Sequence, residues 1–590
     1  MKKKFFSGTC NVFAGQEVLA NESRNKQKRI QKEVTKMMKM DKKVSSNAKG
    51  KRITGKGFMR AGAALLIMAL VFSLSACGAG GGGGGGAAPA PAPSAPADSD
   101  DYYGYEPSPP SEGTMPSGNT PMPSDGGYEG YDPYYDYSGG ERYLEIDESG
   151  ERYTDRTPES TFSLKVDTAS YSNVKRFIQD GMLPPADAVR TEELINWFGY
   201  DEPLAFKRDE PFAFYTEIGP SPFDENKLLG LIRVGTRAID KSDMPPSNLV
   251  FLIDVSGSMD SYDKLPLLQD AFSMLTETLG RDDVVSIVTY ASGTRVPLSG
   301  VRGSDANRIN RAIHNLSAGG STAGGKGIQK AYQLAEEYFI EGGNNRVILA
   351  TDGDFNVGIS STDELSRFIA NKRQSGIYLS VLGFGTGNIR DDIMETLAKD
   401  GNGNYSYIDS RKTAEKVLVD ELGSNLFTVA NDVKAQIVFD PDTVYSYRLI
   451  GYENRMLRTE DFDNDRKDAG EIGAGSDVIA LYEFEPVNRN AAISARTHLF
   501  DVRVRYKDPG DSESKLVEFG VTGERMPRNN TEDFGFVSAV AMFGSYLRDY
   551  GYGGGLEVRS MIALAEENLG MDRNGYREDF VELLYDLRSI

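Results

Sequence analysis

The stretch Asn248-Leu-Val-Phe-Leu-Ile-Asp254-Val-Ser256-Gly-Ser258 is the part of the chain that decides the fold. Its first six residues are almost wholly apolar, which is typical of a strand buried on both faces of a parallel sheet. Strands of such a sheet present ligands at their carboxyl ends, where Asp254, Ser256 and Ser258 follow. The stretch therefore predicts one carboxylate and two hydroxyls on one small loop, and hard oxygen ligands of this kind suit Mg²⁺ or Mn²⁺.

Two segments further along the chain supply ligands of the same kind. Gly319-Gly-Ser-Thr322-Ala-Gly324 places a hydroxyl on a glycine-rich loop, and Arg346-Val-Ile-Leu-Ala-Thr-Asp352-Gly353 is a second buried strand that ends in a carboxylate. Between residues 246 and 430, buried strands alternate with amphipathic helices. This alternation predicts an α/β fold with a doubly wound, mostly parallel sheet, whose ligand crevice lies at the carboxyl ends of the strands.

This constellation resembles the metal-ion-dependent adhesion site of von Willebrand factor type A domains, in which an Asp-x-Ser-x-Ser loop, a Thr and an Asp hold one divalent cation. All five positions match: Asp254, Ser256, Ser258, Thr322 and Asp352. The resemblance implies that some of the five act through water and that a carboxylate of a partner protein takes the open coordination position. Because Mg²⁺ requires six oxygens, a site built largely from hydroxyls would leave it ready for an acidic ligand. The implied chemistry is binding and not catalysis.

The sequence on both sides of this segment predicts a second folded region. After residue 430 apolar residues recur at every second position, most cleanly over 433–439 and 500–506, which predicts half-buried antiparallel strands. We expect these strands to pair with strand-like runs within 212–236, so that the metal-site domain is inserted in a β-rich sandwich domain with flanking helices. The predicted divisions are N-terminal helices and strands over 158–245, the type A domain over 246–430, and strands followed by C-terminal helices over 431–590.

Short phrases outside the metal site carry a second resemblance. Ser160-Thr-Phe-Ser163, Val166-Asp-Thr-Ala-Ser-Tyr171 and Ala469-Gly-Glu-Ile-Gly-Ala-Gly475 look like a family of bacterial envelope lipoproteins with a type A domain between characteristic N- and C-terminal regions. The resemblance spans about residues 158 to 590. It implies a fold and a location, but it does not identify the partner.

The N-terminal part predicts export and lipidation. Residues 1–60 hold 17 Lys or Arg against 4 Asp or Glu, and an apolar run over 61–76 has the length of a signal-peptide core. Leu74-Ser-Ala-Cys77 resembles the bacterial lipobox, which implies that Cys77 is lipidated and that residues 1–76 form a basic extension and signal peptide. An uncleaved anchor with an incidental Cys77 is the alternative. Either route places the remaining chain outside the cytoplasmic membrane, attached to it.

Residues 77–157 are predicted to be a disordered tether rich in Gly, Pro and Tyr, because nothing in them can bury a core. A flexible coil of this length would average on the order of 50 Å from end to end. Its tyrosines could form a surface that binds a partner. The favoured interpretation is that the segment is a solvated linker, since aromatic residues without periodicity rarely make a site. Cleavage before Cys77 would also remove Cys10, which excludes disulfide scaffolding and cysteine catalysis.

Several other function classes are disfavoured. A net charge of −21 argues against nucleic-acid binding. The run Gly320–Lys326 approaches a phosphate-binding loop, but Gly327 stands where the motif needs Ser or Thr, so no nucleotide is expected. The acidic run 461–465 lacks the turn glycine and final ligand of an EF-hand. Only His314 and His498 offer imidazole chemistry, and neither lies in a nucleophile or zinc motif, so an enzyme is not expected.

The leading hypothesis is a membrane-anchored, extracytoplasmic adhesion or scaffolding protein that captures an Asp or Glu of a partner through bound Mg²⁺ or Mn²⁺. The first alternative is an envelope scaffold in which the bound metal rigidifies the site but does not capture a partner's carboxylate. The second, less favoured, is a metal-dependent hydrolase.

Overall fold

The computed structural model describes residues 140–590 except 149, 166, 209, 322–324, 354–361, 468, 490–491 and 549–555. The described residues all belong to one compact unit, residues 127–590. Cys77, the signal segment and residues 78–139 of the predicted tether lie outside the described residues, as does Thr322. The described residues between 140 and 157, also predicted to be disordered tether, belong instead to the folded part, because Arg152–Tyr153 forms a paired strand and Ile146 is buried. Within the part that is described, no helix combines the length and the apolarity needed to cross a membrane.

Short strands and helices precede the central domain. They are β1 (Arg152–Tyr153), β2 (Glu159–Ser163), α1 (Ala169–Gln179), α2 (Thr191–Ile195), β3 (Phe212–Pro220) and β4 (Leu228–Thr236). A 3₁₀ turn at Ala186–Ala188 precedes α2, so the chain does not form one continuous helix there. The Ser170 hydroxyl donates to the Ala188 carbonyl at 2.7 Å and accepts from the Arg190 backbone N–H at 2.9 Å. Both backbone groups are thereby withdrawn from a continuous helix.

The central segment forms a six-stranded sheet with helices on both faces. Its elements are β5 (Ser247–Asp254), α3 (Leu265–Thr278), β6 (Val284–Tyr290), β7 (Thr294–Arg302), α4 (Ala306–His314), α5 (Gly325–Glu337), β8 (Asn344–Thr351), α6 (Thr362–Gln374), β9 (Ile377–Phe384), α7 (Asp391–Asp400), β10 (Tyr405–Ile408), α8 (Arg411–Glu415) and α9 (Leu422–Leu426). The strand order is β10-β9-β8-β5-β6-β7, and every pairing is parallel except that of β6 with the edge strand β7.

Alternate residues of β5 enter two different cores, which explains its unbroken apolar run. Val250 and Leu252 pack into the core that contains Ile328 of α5. Phe251 packs on the other face, where its ring stacks on Phe272 of α3 with centroids 4.3 Å apart. The prediction of a strand buried on both faces is therefore confirmed, and β5 lies in the middle of a doubly wound sheet.

Two antiparallel sheets follow the central domain and also include strands that precede it. The remaining elements are β11 (Thr428–Phe439), β12 (Val444–Ile450), β13 (Met456–Leu457), β14 (Ile472–Gly473), β15 (Asp477–Pro486), β16 (His498–Lys507), β17 (Lys515–Thr522), α10 (Glu532–Leu547), α11 (Val558–Glu567) and α12 (Tyr576–Leu587). One sheet has the order β1-β12-β15-β4-β3, and the other has β13-β2-β11-β16-β17 with β14 beside β11.

The sandwich is confirmed, whereas the predicted partners of its strands need correction. β11 and β16 pair with each other, and β11 also pairs with β2. The partner of β4 is β15, so the strands over 212–236 do not pair with 433–439 or 500–506. They face them instead, because Ile232 and Val234 share one apolar core with Val433 and Val502. Since strands from before and after the central domain form both sheets, that domain is an insertion in a β-rich region.

A helical layer covers the outer face of the sheet that contains β4. Leu229 and Leu231 lie on the opposite side of β4 from Ile232 and share a core with Phe580 of α12. Trp197 belongs to this core and stacks on Tyr171 of α1 with centroids 4.8 Å apart. The only tryptophan therefore has a packing role.

Candidate metal centre

Asp254 lies at the carboxyl end of β5 and is fully buried. The Ser256 backbone N–H donates to its Oδ1 at 2.8 Å, and the Thr351 hydroxyl lies 3.4 Å from its Oδ2. Ser256 Oγ and Ser258 Oγ are 2.9 Å apart on the loop that follows. The loop therefore folds back on the carboxylate at its start, and its hydroxyls form a pair beside it.

Asp352 follows the neighbouring strand β8 and is also fully buried. β5 and β8 are parallel, with Ile253 opposite Ala350, so both carboxylates emerge at the same edge of the sheet. The turn after Asp352 requires glycine, because Gly353 has φ +102° and an added Cβ would lie 2.6 Å from the Arg390 backbone nitrogen. This close approach brings the loop before α7 against the site.

The structure thus brings together four of the five predicted ligands: Asp254, Ser256, Ser258 and Asp352. The fifth, Thr322, is not among the described residues. The loop that leads to it is hydrogen-bonded to the Asp254 loop, since Gly319 N–H donates to the Val255 carbonyl at 2.8 Å and Gly257 N–H donates to the Gly320 carbonyl at 2.9 Å.

Burial dominates the electrostatics of this site. It raises the pKa of Asp254 to about 6, and the negative charge of Asp352 acts in the same direction, while the hydrogen bonds from Ser256 oppose the shift. Two buried carboxylates that repel each other favour a bound cation, which removes the cost of ionising both. Carboxylate and hydroxyl oxygens are hard donors, so this set fits Mg²⁺ or Mn²⁺ and does not fit a thiolate- or imidazole-preferring metal.

Lys264 is a component of the site that the sequence did not reveal. Its Nζ donates to Asp352 Oδ2 at 2.9 Å and lies 3.4 Å from Asn388 Oδ1. The lysine side chain is only 9% exposed, and it crosses so closely over Gly385 that a Cβ there would lie 2.2 Å from Lys264 Cε. In the sequence Lys264 follows a polar run and resembles any solvated lysine at a helix start, so no signal marked it.

The charges of the site favour an anionic ligand once a divalent cation is bound. Asp254 and Asp352 balance the two positive charges of such a cation, and Lys264 adds one more. One net positive charge would therefore remain at the loaded site.

Other candidate sites from the sequence have structural roles. Asp463 and Asp465 in the acidic run pair with Arg505 at 3.1 and 3.2 Å. His314 on α4 lies 3.2 Å from the Ser273 hydroxyl, and His498 lies in the sandwich. In the described ranges, no group of three or more His, Cys, Asp or Glu could hold a metal ion.

Comparison with known proteins gives matches over most of the described part. The family profile described as von Willebrand factor type A domain matches residues 248–420, that of von Willebrand factor matches 138–230, and that of the YfbK C-terminal region matches 424–590.

Individual relatives are similar over different lengths. The chain is 42% identical over 465 residues to the uncharacterized protein YfbK of Escherichia coli strain K12, covering 75% of this chain and 80% of that protein. It is 26% identical to mouse inter-alpha-trypsin inhibitor heavy chain H3 over 43% of this chain and 30% of that one. The solved von Willebrand factor type A protein from Catenulispora acidiphila is 17% identical, covers 64% of this chain and 91% of its own, and gives a TM-score of 0.38.

Proposed function

Because this chain belongs to the bacterial family of von Willebrand factor type A proteins that includes YfbK, we propose that it binds a partner protein at the cell envelope, as an adhesion or scaffolding protein. Type A domains commonly bind a divalent metal at the motif that Asp254, Ser256 and Ser258 form here, and they commonly mediate protein interaction. The finer proposal is that bound Mg²⁺ or Mn²⁺ captures an Asp or Glu side chain of the partner.

The observation that carries the proposal is the convergence of four hard ligands at the ends of two adjacent parallel strands. Asp254 and Asp352 would bind the cation as carboxylates, and Ser256 and Ser258 would contribute hydroxyl oxygens directly or through water. When bound, the cation supplies a hard, electron-accepting position for an oxygen ligand.

Lys264 would act on the partner's carboxylate through charge. Its ammonium group stays close to Asp352, so it compensates one of the two carboxylates and leaves the loaded site positive overall. The positive site would repel the ammonium group of a partner's lysine, whereas it would attract the carboxylate of a partner's Asp or Glu. The site therefore favours acidic over basic partner residues.

The proposed location rests on the N-terminal sequence. Lipidation at Cys77 would hold the chain at the outer side of the cytoplasmic membrane, and the segment up to residue 139 would space the folded part from it. A single lipid chain binds membranes only marginally, so stable anchoring requires more than one acyl chain at this residue.

A passive scaffold remains the second candidate, and the Lys264–Asp352 ion pair favours it. An internal ammonium already compensates Asp352, so the loop conformation could persist without any partner. In that case the cation would rigidify the loop, and removing it would change stability without changing binding.

Affinity capture of envelope proteins by the full chain, with reversible cross-linking, separates these candidates. We expect partners that are retained with Mg²⁺, lost with chelator, and lost in Asp254→Asn. Asp260→Asn is the matched control, because Asp260 is an exposed carboxylate in the same loop outside the motif. Retention of the same partners by Asp254→Asn in chelator would refute carboxylate capture and support the passive scaffold. Phosphoester or peptide turnover that Asp254→Asn abolishes would instead support a hydrolase.

A further inference from the structure

The described chain begins next to a loop of the central domain. The carbonyl oxygen of Gly387 lies 3.7 Å from the position that a Cβ would take on Gly140, the first described residue. Glu141 accepts a hydrogen bond from the Gly387 backbone N–H at 3.0 Å, and the Arg142 backbone N–H donates to the Ile389 carbonyl at 2.9 Å. These three successive residues, here called the entry segment, are therefore held against the loop between β9 and α7.

Buried contacts fix the position of the entry segment. The Glu141 side chain is only 4% exposed, and its Oε2 accepts hydrogen bonds from Arg176 of α1 at 2.9 Å and from the Tyr143 hydroxyl at 2.8 Å. Its other oxygen accepts from the loop between β9 and α7. The chain that precedes the entry segment therefore starts from a defined point on the surface.

The loop between β9 and α7 also closes the metal centre. Asn388 Oδ1 lies 3.4 Å from Lys264 Nζ, the ammonium group that donates to Asp352 Oδ2. The carbonyl oxygen of Asn388 and the backbone nitrogen of Arg390 each lie 2.6 Å from the position that a Cβ would take on Gly353, the residue after Asp352. One loop thus contacts both the entry segment and the metal centre, so the preceding residues leave the fold beside that centre.

The residues just before the entry segment have the charge that the loaded metal centre attracts. Residues 127–139 contain three carboxylates, Glu129, Asp132 and Asp136, together with five tyrosines and no Lys or Arg. With a divalent cation bound, Lys264 leaves the metal centre with one net positive charge. Opposite charges therefore lie on the site and on the segment of chain that starts beside it.

The separation along the chain is short enough for this segment to reach the metal centre. An extended chain spans at most about 3.6 Å per residue, so Asp136 reaches up to about 14 Å from Gly140 and Asp132 up to about 28 Å. Only one loop separates Gly140 from Lys264 and Asp352. A short linkage of this kind keeps a carboxylate at an effective concentration on the order of millimolar.

An exposed aromatic ring beside the metal centre suits the same segment. Tyr262 lies between the metal-binding motif and Lys264, and it is 87% exposed. Tyr135 and Tyr137 flank Asp136 in the sequence. Aromatic rings pack favourably on one another, so a tyrosine next to a bound carboxylate has a partner ring close to the metal centre.

We propose that a carboxylate within residues 127–139 of the same chain binds the cation in the position that a partner's Asp or Glu takes during capture. Asp136 is the first candidate and Asp132 the second, because they are closest to the entry segment. This inference rests on the proposed function, since it requires the bound cation. It adds regulation to that function, because a partner must displace the chain's own carboxylate.

Limited proteolysis of the full chain by chymotrypsin, which cleaves after tyrosine, tests this proposal. An effective concentration of about 1 mM, acting on a carboxylate that binds with a dissociation constant of about 0.1 mM, keeps the segment bound about ten to one. We therefore expect Mg²⁺ to slow cleavage within residues 127–139 about tenfold relative to chelator. Cleavage after Tyr102, Tyr103 and Tyr105 in the same chain is the internal reference and should not change.

Two sets of substitutions assign the protection to these carboxylates. The combined variant Glu129→Gln, Asp132→Asn and Asp136→Asn should lose the protection by Mg²⁺, as should Asp254→Asn. The matched control Asp98→Asn, Asp100→Asn and Asp101→Asn removes the same number of carboxylates and should keep the protection. Its carboxylates are about 40 residues from Gly140, and effective concentration falls roughly as the −3/2 power of linker length, so they compete weakly.

Elemental analysis of the same samples separates the outcomes. Equal cleavage in Mg²⁺ and in chelator, in protein that carries the metal, would overturn this proposal and leave the proposed function intact. Absence of metal from the wild type would overturn both. Protection retained by the combined variant would also refute the assignment. Protection that disappears when the protein is diluted would assign the carboxylate to a second copy of the chain and refute binding within one chain.

Discussion

Replacing Lys264 with methionine removes the ammonium that faces Asp352 while keeping most of the aliphatic stem that covers Gly385. The two charged atoms are 2.9 Å apart, and the side chains are 9% and 0% exposed. At an effective dielectric constant of about 20, charges at that distance attract by about 6 kcal/mol. Desolvation offsets part of this, and removing one partner of a buried pair typically costs about 3–5 kcal/mol. We therefore expect the metal-free variant to lose about 3–5 kcal/mol of unfolding free energy.

The decisive quantity is the response of this variant to Mg²⁺. A bound cation would compensate Asp352 in place of the missing ammonium, and it would no longer be repelled by Lys264. A ligand present at a hundred times its dissociation constant stabilises the folded protein by about 2.7 kcal/mol. At the same Mg²⁺ concentration, a protein that binds the ion more tightly is therefore stabilised more. We expect Mg²⁺ to raise the unfolding free energy of Lys264→Met more than that of the wild type.

Urea denaturation followed by circular dichroism measures both quantities, in chelator and in Mg²⁺ at constant ionic strength. Lys330→Met serves as the control, because that half-buried lysine lies on the same domain and its ammonium makes only an exposed hydrogen bond to Gln333 in the described part, so the substitution should change neither value appreciably. Equal gains from Mg²⁺ in the wild type and in Lys264→Met would refute the electrostatic argument, since the ammonium would then have no influence on the metal.

Two further predictions concern other parts of the fold. Partial burial would lower the pKa of His498, but hydrogen bonds from its ring to Asp501 and Asp440 outweigh burial and raise it above the usual value. Its stabilising contribution is complete below the unfolded-state pKa of about 6.5 and is lost as pH rises through the folded-state value. His498→Gln should therefore flatten the fall in stability above pH 6.5, and an NMR titration should show a raised pKa for His498. Phe251→Ala should lower the unfolding free energy measured by urea denaturation by about 3–5 kcal/mol, because it removes a fully buried ring stacked on Phe272. A loss below about 1 kcal/mol would contradict the placement of β5 at the centre of the sheet.

The sequence was sufficient for the central domain because its periodicity is unambiguous there. β5 and β8 read as apolar runs that end in Asp254 and Asp352, and parallel strands necessarily present these residues at one edge of a sheet. Each carboxylate could therefore be assigned to the site before its surroundings were known.

Other features depend on contacts between residues distant in sequence. The break before α2 arises from hydrogen bonds to Ser170, and a π-helical turn at Lys416–Asp420 separates α8 from α9. Period-two patterns define which faces of the sandwich strands are buried, but they do not define which strands pair, so β4 was assigned to the wrong sheet. Lys264 was missed for the same reason, because its partner Asp352 lies 88 residues away.

Metal uptake by the full chain tests the central claim most directly. After equilibrium dialysis against Mg²⁺ or Mn²⁺, elemental analysis should find a single site per chain in the wild type and in Asp260→Asn, and a stoichiometry close to zero in Asp254→Asn. Absence of metal from the wild type, or undiminished metal in a folded Asp254→Asn variant, would contradict the assignment of this loop as a metal-dependent binding site.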